Sequence, residues 1–229
     1  MVEKSYSQYG QDRLVIDTIF KGKRGGYFVE AGGADGLFLS NTLLLEREFG
    51  WTGLLVEPTS AFEALKRNRP NCACDNACLA GDYKTVTMVE IFDRGQAEIS
   101  GDASENLLLS RAVGTAAPVD LAQENSHWGV ARKQYLKQAE PLAAVLKRHD
   151  APRQIDYLSL DVEGFEYEIL RTFPFDQYRF GCLDIERPPP ELVEHLKWNG
   201  YNLHVSNGVD SIFLPGRSAQ GAGWVVRAQ

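Results

Sequence analysis

Six carboxylates stand where strand-like segments end. Glu30 closes "YFVEAGG", Glu57 closes "TGLLVEP", Asp161 and Glu163 close "IDYLSLDVEG", and Asp184 and Glu186 close "FGCLDIERP". A strand-end carboxylate can accept the hydroxyls of a ribose, hold a cation, or take a proton from a reacting group. The glycines after Glu30 favour a nucleotide-bearing ligand. Gly32, Gly33 and Gly36 in "AGGADG" remove side chains where backbone must pass near a ligand, and they let the next segment start close to the strand. Glu57 follows about 20 residues later, the spacing at which an acid meets the ribose of an adenine nucleotide, and Pro58 fixes the turn that presents it. Alternation along a strand puts Asp161 and Glu163 on one side, and Gly164 turns the chain at once.

The acids also discriminate between nucleotides. A pyrophosphate seated on the glycine turn would be repelled by Glu30, so these residues suit S-adenosylmethionine better than NAD. An NAD-dependent oxidoreductase and a non-catalytic binding module on the same fold stay open as alternatives. Methyl transfer from a sulfonium is an in-line displacement that depends on placement, and a hydroxyl acceptor must also lose its proton. Glu163 is the first choice for that base, with Asp161 holding substrate or cofactor. Four acids at two adjacent strand ends repel one another unless exposed, protonated or paired. They also permit a divalent cation on oxygens of Asp161, Glu163 or Asp184, an option not favoured here, so no metal ligand is assigned. His204 is a spare base.

The elements that must position these groups alternate along the chain. Strand-length apolar runs at "GYFVEAG", "TGLLVEP", "IDYLSLDVE" and "FGCLDIE" are separated by helix-length segments, the pattern of βα units around a parallel sheet. Ser40 is expected to cap a helix in which Leu43, Leu44 and Leu45 face the sheet and Gly50 closes the end. A further helix runs from about Ser60 to Asn68, and short strands are expected in "CACDNACLA" and "KTVTMVEIF". Periodicity fails from about 93 to 128, which reads as an irregular insertion or lid. The chain ends in two strand-like runs joined at Asn207-Gly208, a strong hairpin signal. The fold expected is α/β, a class I methyltransferase (Rossmann-like), mostly parallel, seven-stranded sheet with helices on both faces and a C-terminal antiparallel hairpin, in one domain over residues 1–229.

Composition narrows the class. With 44% hydrophobic and 24% charged residues in 229, the chain is an ordinary globular one. A net charge of −7 with no basic block argues against nucleic acid as partner. No signal peptide or spanning segment is evident, so a cytoplasmic protein without membrane attachment is expected. The four cysteines, three of them in "CACDNAC", lack zinc-ligand spacing and read as reduced structural thiols.

Taken together, "SQYGQD" at 7–12, "GYFVEAGGADGLFLSNTLLLE", "LLVEP", "NACLA" and "LSLDVEGFEYEIL" resemble, in order and over nearly the whole chain, the FkbM-type methyltransferase family. That resemblance implies S-adenosylmethionine as methyl donor and O-methylation of a small molecule or sugar hydroxyl. It implies that Glu30, Gly32, Gly33 and Gly36 surround the methionine portion, Glu57 with Pro58 the ribose, and Asn76 and Ala77 the adenine. Asn41 would reach the amino-acid end, unless it serves as a cap, and Gln8, Gln11 and Asp12 would fold back over the pocket. Ala34 departs from the pattern at the middle glycine. The acceptor, a small molecule or glycan, should meet residues such as Arg111, His127 and Trp128 and the surroundings of Arg187 and Asn207; a homodimer is possible.

Overall fold

The computed structural model describes residues 4–93, 107–113 and 130–216. Its main sheet has seven strands: β1 (Tyr27–Ala31), β2 (Thr52–Val56), β3 (Ala73–Asp75), β8 (Gln154–Leu160), β9 (Arg179–Glu186), β10 (Tyr201–Ser206) and β11 (Asp210–Pro215), in the order β10-β11-β9-β8-β1-β2-β3. All neighbouring pairs from β9 to β3 are parallel. Only β11 runs against the grain, antiparallel to both β9 and β10. This is the mostly parallel α/β sheet with a terminal hairpin that the sequence led us to expect.

Both faces of the sheet are covered, as the near-continuous burial along its parallel strands requires. On one face Val29, Ala31, Leu54, Val56, Leu158 and Leu183 pack against α4 (Leu142–Arg148), α5 (Glu166–Leu170) and α6 (Pro190–Trp198). On the other, Phe28, Leu55, Tyr157 and Cys182 meet α1 (Gln11–Arg13), its π-helical continuation Leu14–Ile19, α2 (Leu43–Phe49) and α3 (Phe62–Asn68). Each fully buried Leu or Phe contributes about 1.5–3 kcal/mol, so these two layers fix the strand ends in place. Helix α2 ends as expected at Gly50, whose φ of 66° lets its N–H return to the carbonyls of Glu46 and Leu45.

Three local expectations are corrected. Ser40 does not cap α2: the helix starts at Leu43 with no side-chain cap, and the Ser40 hydroxyl donates to the buried Glu30 carboxylate while accepting from Thr42 N–H. Strand β8 stops at Leu160, so Asp161 and Glu163 lie in the loop beyond it and owe nothing to strand alternation. The stretch from 93 to 128 is not irregular throughout, since Asp93 ends a strand and Leu107–Val113 forms β6; the rest of it lies outside the described residues. Strands β4 (Cys78–Ala80), β5 (Lys84–Asp93), β6 and β7 (Val130–Pro141) make a second sheet in the order β4-β7-β5-β6. Only Asn76 and Ala77 separate β3 from β4, which anchors this sheet beside the carboxyl edge of the main one.

Candidate active site

The turn after β1 brings two strands into near contact. Gly32 has φ +87°, and a Cβ there would lie 1.7 Å from the carbonyl oxygen of Asp161. Glycine is thus demanded by the approach of the β1 and β8 ends. Gly36, at φ +80°, has Arg69 and Leu65 where a Cβ would go, at 2.6 and 2.7 Å. Gly33 is under no such demand, because its Cβ would meet Leu55 and Leu65 at ordinary distances. Ala34 takes a left-handed conformation that glycine adopts more readily, with φ 44°, at a cost of roughly 1–2 kcal/mol. Its N–H donates to Glu57. Leu39, Glu163 and Arg187 also have positive φ, so strained non-glycine residues gather at this edge, as they do in functional sites.

Glu30 is buried and held entirely by protein groups. Its oxygens accept from Ser40 Oγ (3.0 Å), Asn41 N–H (2.9 Å) and Thr42 Oγ1 (2.5 Å). The fully buried Arg69 guanidinium stands 3.7 Å away, is ion-paired to Glu46, and donates to the Gly36 carbonyl. Glu30 therefore shapes the 36–42 loop. Asn41 in that loop donates through Nδ2 to Ser159, while its buried Oδ1 has no partner. An orphaned acceptor at a strand edge is a place for a ligand donor.

Glu57 is equally buried. Thr59 N–H and Thr59 Oγ1 donate to its Oε1, Ala34 N–H to its Oε2. Burial pushes its carboxyl above the usual range against these hydrogen bonds. One lone pair of Oε2 remains for a further donor. Glu57, Pro58 and Ala77 line a cleft together with Gly32, Asp161, Val162 and the apolar Ala31, Val56, Leu79 and Ile169. The side chain of Asn76 donates to the Glu57 carbonyl at 2.8 Å.

The third group is the most charged. One carboxylate oxygen each of Asp161, Glu163 and Glu186 lies within 4.8 Å of the others. Desolvation of its carboxyl, then the charge and hydrogen bond of Glu186, hold Asp161 well above the ordinary carboxylate range. Arg187 pairs with Glu186 at 2.7 Å and approaches Glu163 at 4.0 Å. The loop that carries Glu163 is fastened by Glu166, whose Oε1 accepts from the N–H groups of Val162 and Gly164. Asp184, paired with Glu186 in the sequence reading, is not in this group: it is buried beneath the hydroxyl of Tyr157.

The remaining candidates disperse. Gln11 is buried and donates to Asp210 at the start of β11, the residue that lies opposite Glu186 in the β9–β11 ladder. Asp12 gathers the N-terminal loop by accepting from Ser5 Oγ, Ser7 Oγ and Tyr6 N–H, and Gln8 is exposed. His204 is exposed on edge strand β10. His127 and Trp128 lie outside the described residues, as does the side chain of Arg111. Sequence reasoning missed Arg69, Glu166 and Lys137. Glu166 left a faint trace, as a charge in "GFEYEIL", whereas Arg69, inside the polar run "KRNRPN", and Lys137 left none.

The family model of the Methyltransferase FkbM domain matches residues 30–204. No curated protein matches the chain in sequence. Among solved structures, two of the METTL16 MTase domain align with it at 12% and 10% identity and TM-scores of 0.47 and 0.46, covering 94% of this chain and 69% and 70% of theirs. The human methyltransferase 10 domain containing protein aligns at 12% identity with a TM-score of 0.43, covering 94% of this chain and 84% of that one.

Proposed function

The chain belongs to the FkbM methyltransferase domain family, and from that premise we propose that it methylates a hydroxyl of a small molecule or sugar with S-adenosylmethionine as donor. The observation that carries this reading is that Glu57, Gly32 and Asp161 line one cleft whose other walls are apolar. The donor set fits the cofactor. Val56, Ala77 and Leu79 offer apolar surface to an adenine ring, the spare lone pair of Glu57 suits a ribose hydroxyl, and the unpartnered Oδ1 of Asn41 suits an ammonium group. Bound there, S-adenosylmethionine supplies an electrophilic methyl group. Gly32 keeps the strand ends bare of side chains, and Glu30 acts at one remove by holding Asn41 in place. Glu163 takes the acceptor's proton, while Asp161 and Glu186 hold the acceptor beside it.

Methyltransferase chemistry of this kind is tested first by binding. S-adenosylhomocysteine at 100 times its Kd should stabilise the protein by about 2.7 kcal/mol and raise its unfolding midpoint, and NAD should not. A midpoint unmoved by S-adenosylhomocysteine would leave only the fold, and one raised by NAD would restore the oxidoreductase alternative. A second reading, metal-assisted transfer, is favoured by the Asp161, Glu163 and Glu186 oxygens; here the carboxylates would hold a divalent cation that lowers the hydroxyl pKa. Removal of metal with EDTA followed by Mg²⁺ restoration would then abolish and recover turnover, whereas proton transfer to Glu163 alone would survive EDTA.

Among the described residues, no helix is long and apolar enough to cross a membrane. We read the acceptor as small.

A further inference from the structure

One side chain of the second sheet braces the turn beside the cleft. Lys137, on β7, is half-buried and donates from Nζ to the Pro58 carbonyl at 2.5 Å and to Asn76 Oδ1 at 2.8 Å. Asn76 in turn donates from Nδ2 to the carbonyls of Glu57 and Thr59 at 2.8 and 3.4 Å. A lysine ammonium has only donors, so it selects the orientation of the Asn76 amide in which Oδ1 faces β7 and Nδ2 faces the turn. The turn 57–59 is thereby tied from both sides, at the residue whose carboxylate stands in the cleft. The charged and titratable groups around the ammonium are Glu57, Glu90, Asp75 and Cys78. Met88 of β5 and Cys78 of β4 line the cleft itself, and Lys137 of β7 holds the turn at its rim.

We infer that Lys137 is a positioning residue for the adenosyl pocket: through Asn76 and the Pro58 carbonyl it fixes the turn that presents Glu57, which makes the second sheet part of the cofactor site. This inference rests on the methyltransferase reading given above.

Calorimetric titration with S-adenosylhomocysteine tests it on the full chain. Lys137→Met keeps the aliphatic stem and removes the donors, and should weaken binding ~10-fold with the unliganded unfolding midpoint little changed. Lys137→Arg keeps donors and should stay within roughly threefold of the parent. In an Asn76→Ala background the same Lys137→Met change should cost less than in the parent, because the arm through Asn76 is already cut and only the Pro58 bond remains to lose. If Lys137→Met fails to fold, Lys137→Gln, which keeps one donor head, takes its place with a smaller loss of affinity expected. Equal affinities in parent and Lys137→Met or Lys137→Gln proteins, or a loss undiminished by Asn76→Ala, would overturn the inference alone. A parent protein that ignores S-adenosylhomocysteine would overturn the methyltransferase reading and this inference with it.

Discussion

Glu30 and the Asp161–Glu163–Glu186 trio occupy equivalent places, the carboxyl ends of neighbouring strands, yet their surroundings are opposite. Glu30 is met by two hydroxyls, a backbone N–H and a buried guanidinium. In the trio, Asp161 is crowded by the charges of Glu186 and Glu163, and an exposed arginine pairs with Glu186 at the rim. An acid supplied with donors has its charge spent on holding a loop. An acid crowded by other acids keeps a demand for a proton or a cation, and that demand is what a reaction can use. Position at a strand end is therefore insufficient to name a catalytic residue; its neighbours must be counted as well.

The largest test of this contrast is Glu163→Gln. It removes the base without changing side-chain size, and the rate of methyl transfer should fall ~10²–10⁴-fold while affinity for S-adenosylhomocysteine stays within about threefold. A rate unchanged in single turnover would move the base role to Asp161 or Glu186. On the other side of the comparison, Glu30→Ala should act on the fold. It strips Arg69 of one of its two carboxylates and leaves three donors unmet, so urea denaturation should register a loss of ~3 kcal/mol. Should Glu30→Ala instead leave stability intact and abolish cofactor binding, the division between shaping and reacting acids would collapse.

Much of this was legible in the sequence because it is local. Strand runs, the Gly50 helix end and the Asn207-Gly208 hairpin follow from neighbouring residues, and the order of motifs pointed to the family. The acids' partners were not legible, because they come from far along the chain. Arg69 reaches Glu30 from the end of α3, Glu186 reaches Asp161 from the next strand, and Lys137 arrives from a different sheet. The roles of the glycines were half legible: φ > 0 could be expected at Gly32 and Gly36, but the obstacle at each is a protein atom, the Asp161 carbonyl and the Arg69 stem. Strand β6 was hidden because "LLLSRAV" has no alternation and is flanked by turn-like residues. The Asp161 and Glu163 placement came out in the expected region for the wrong reason, since a loop held by Glu166, rather than strand pleating, sets it.

Asp184 is the intermediate case, and it sharpens the comparison most finely. It is buried like Glu30 but has a single donor, the Tyr157 hydroxyl, and its Oδ1 is unpartnered. Burial, with the charge of Asp210 added, pushes its carboxyl up to about 7. The sign follows from linkage: between the ordinary carboxylate range and pH 7 the folded chain holds a proton that the unfolded chain has released, so stability falls as pH rises through that window and levels off above it. Asp184→Asn keeps an acceptor for Tyr157 and removes the titration. Relative to the parent, its unfolding free energy should be gained progressively from about pH 4 to pH 7, reaching roughly 1–3 kcal/mol at pH 8. A parallel pH dependence in the two proteins would mean that Asp184 is ionised and solvated in the fold, and that burial with one donor is already enough to satisfy an acid at this sheet edge.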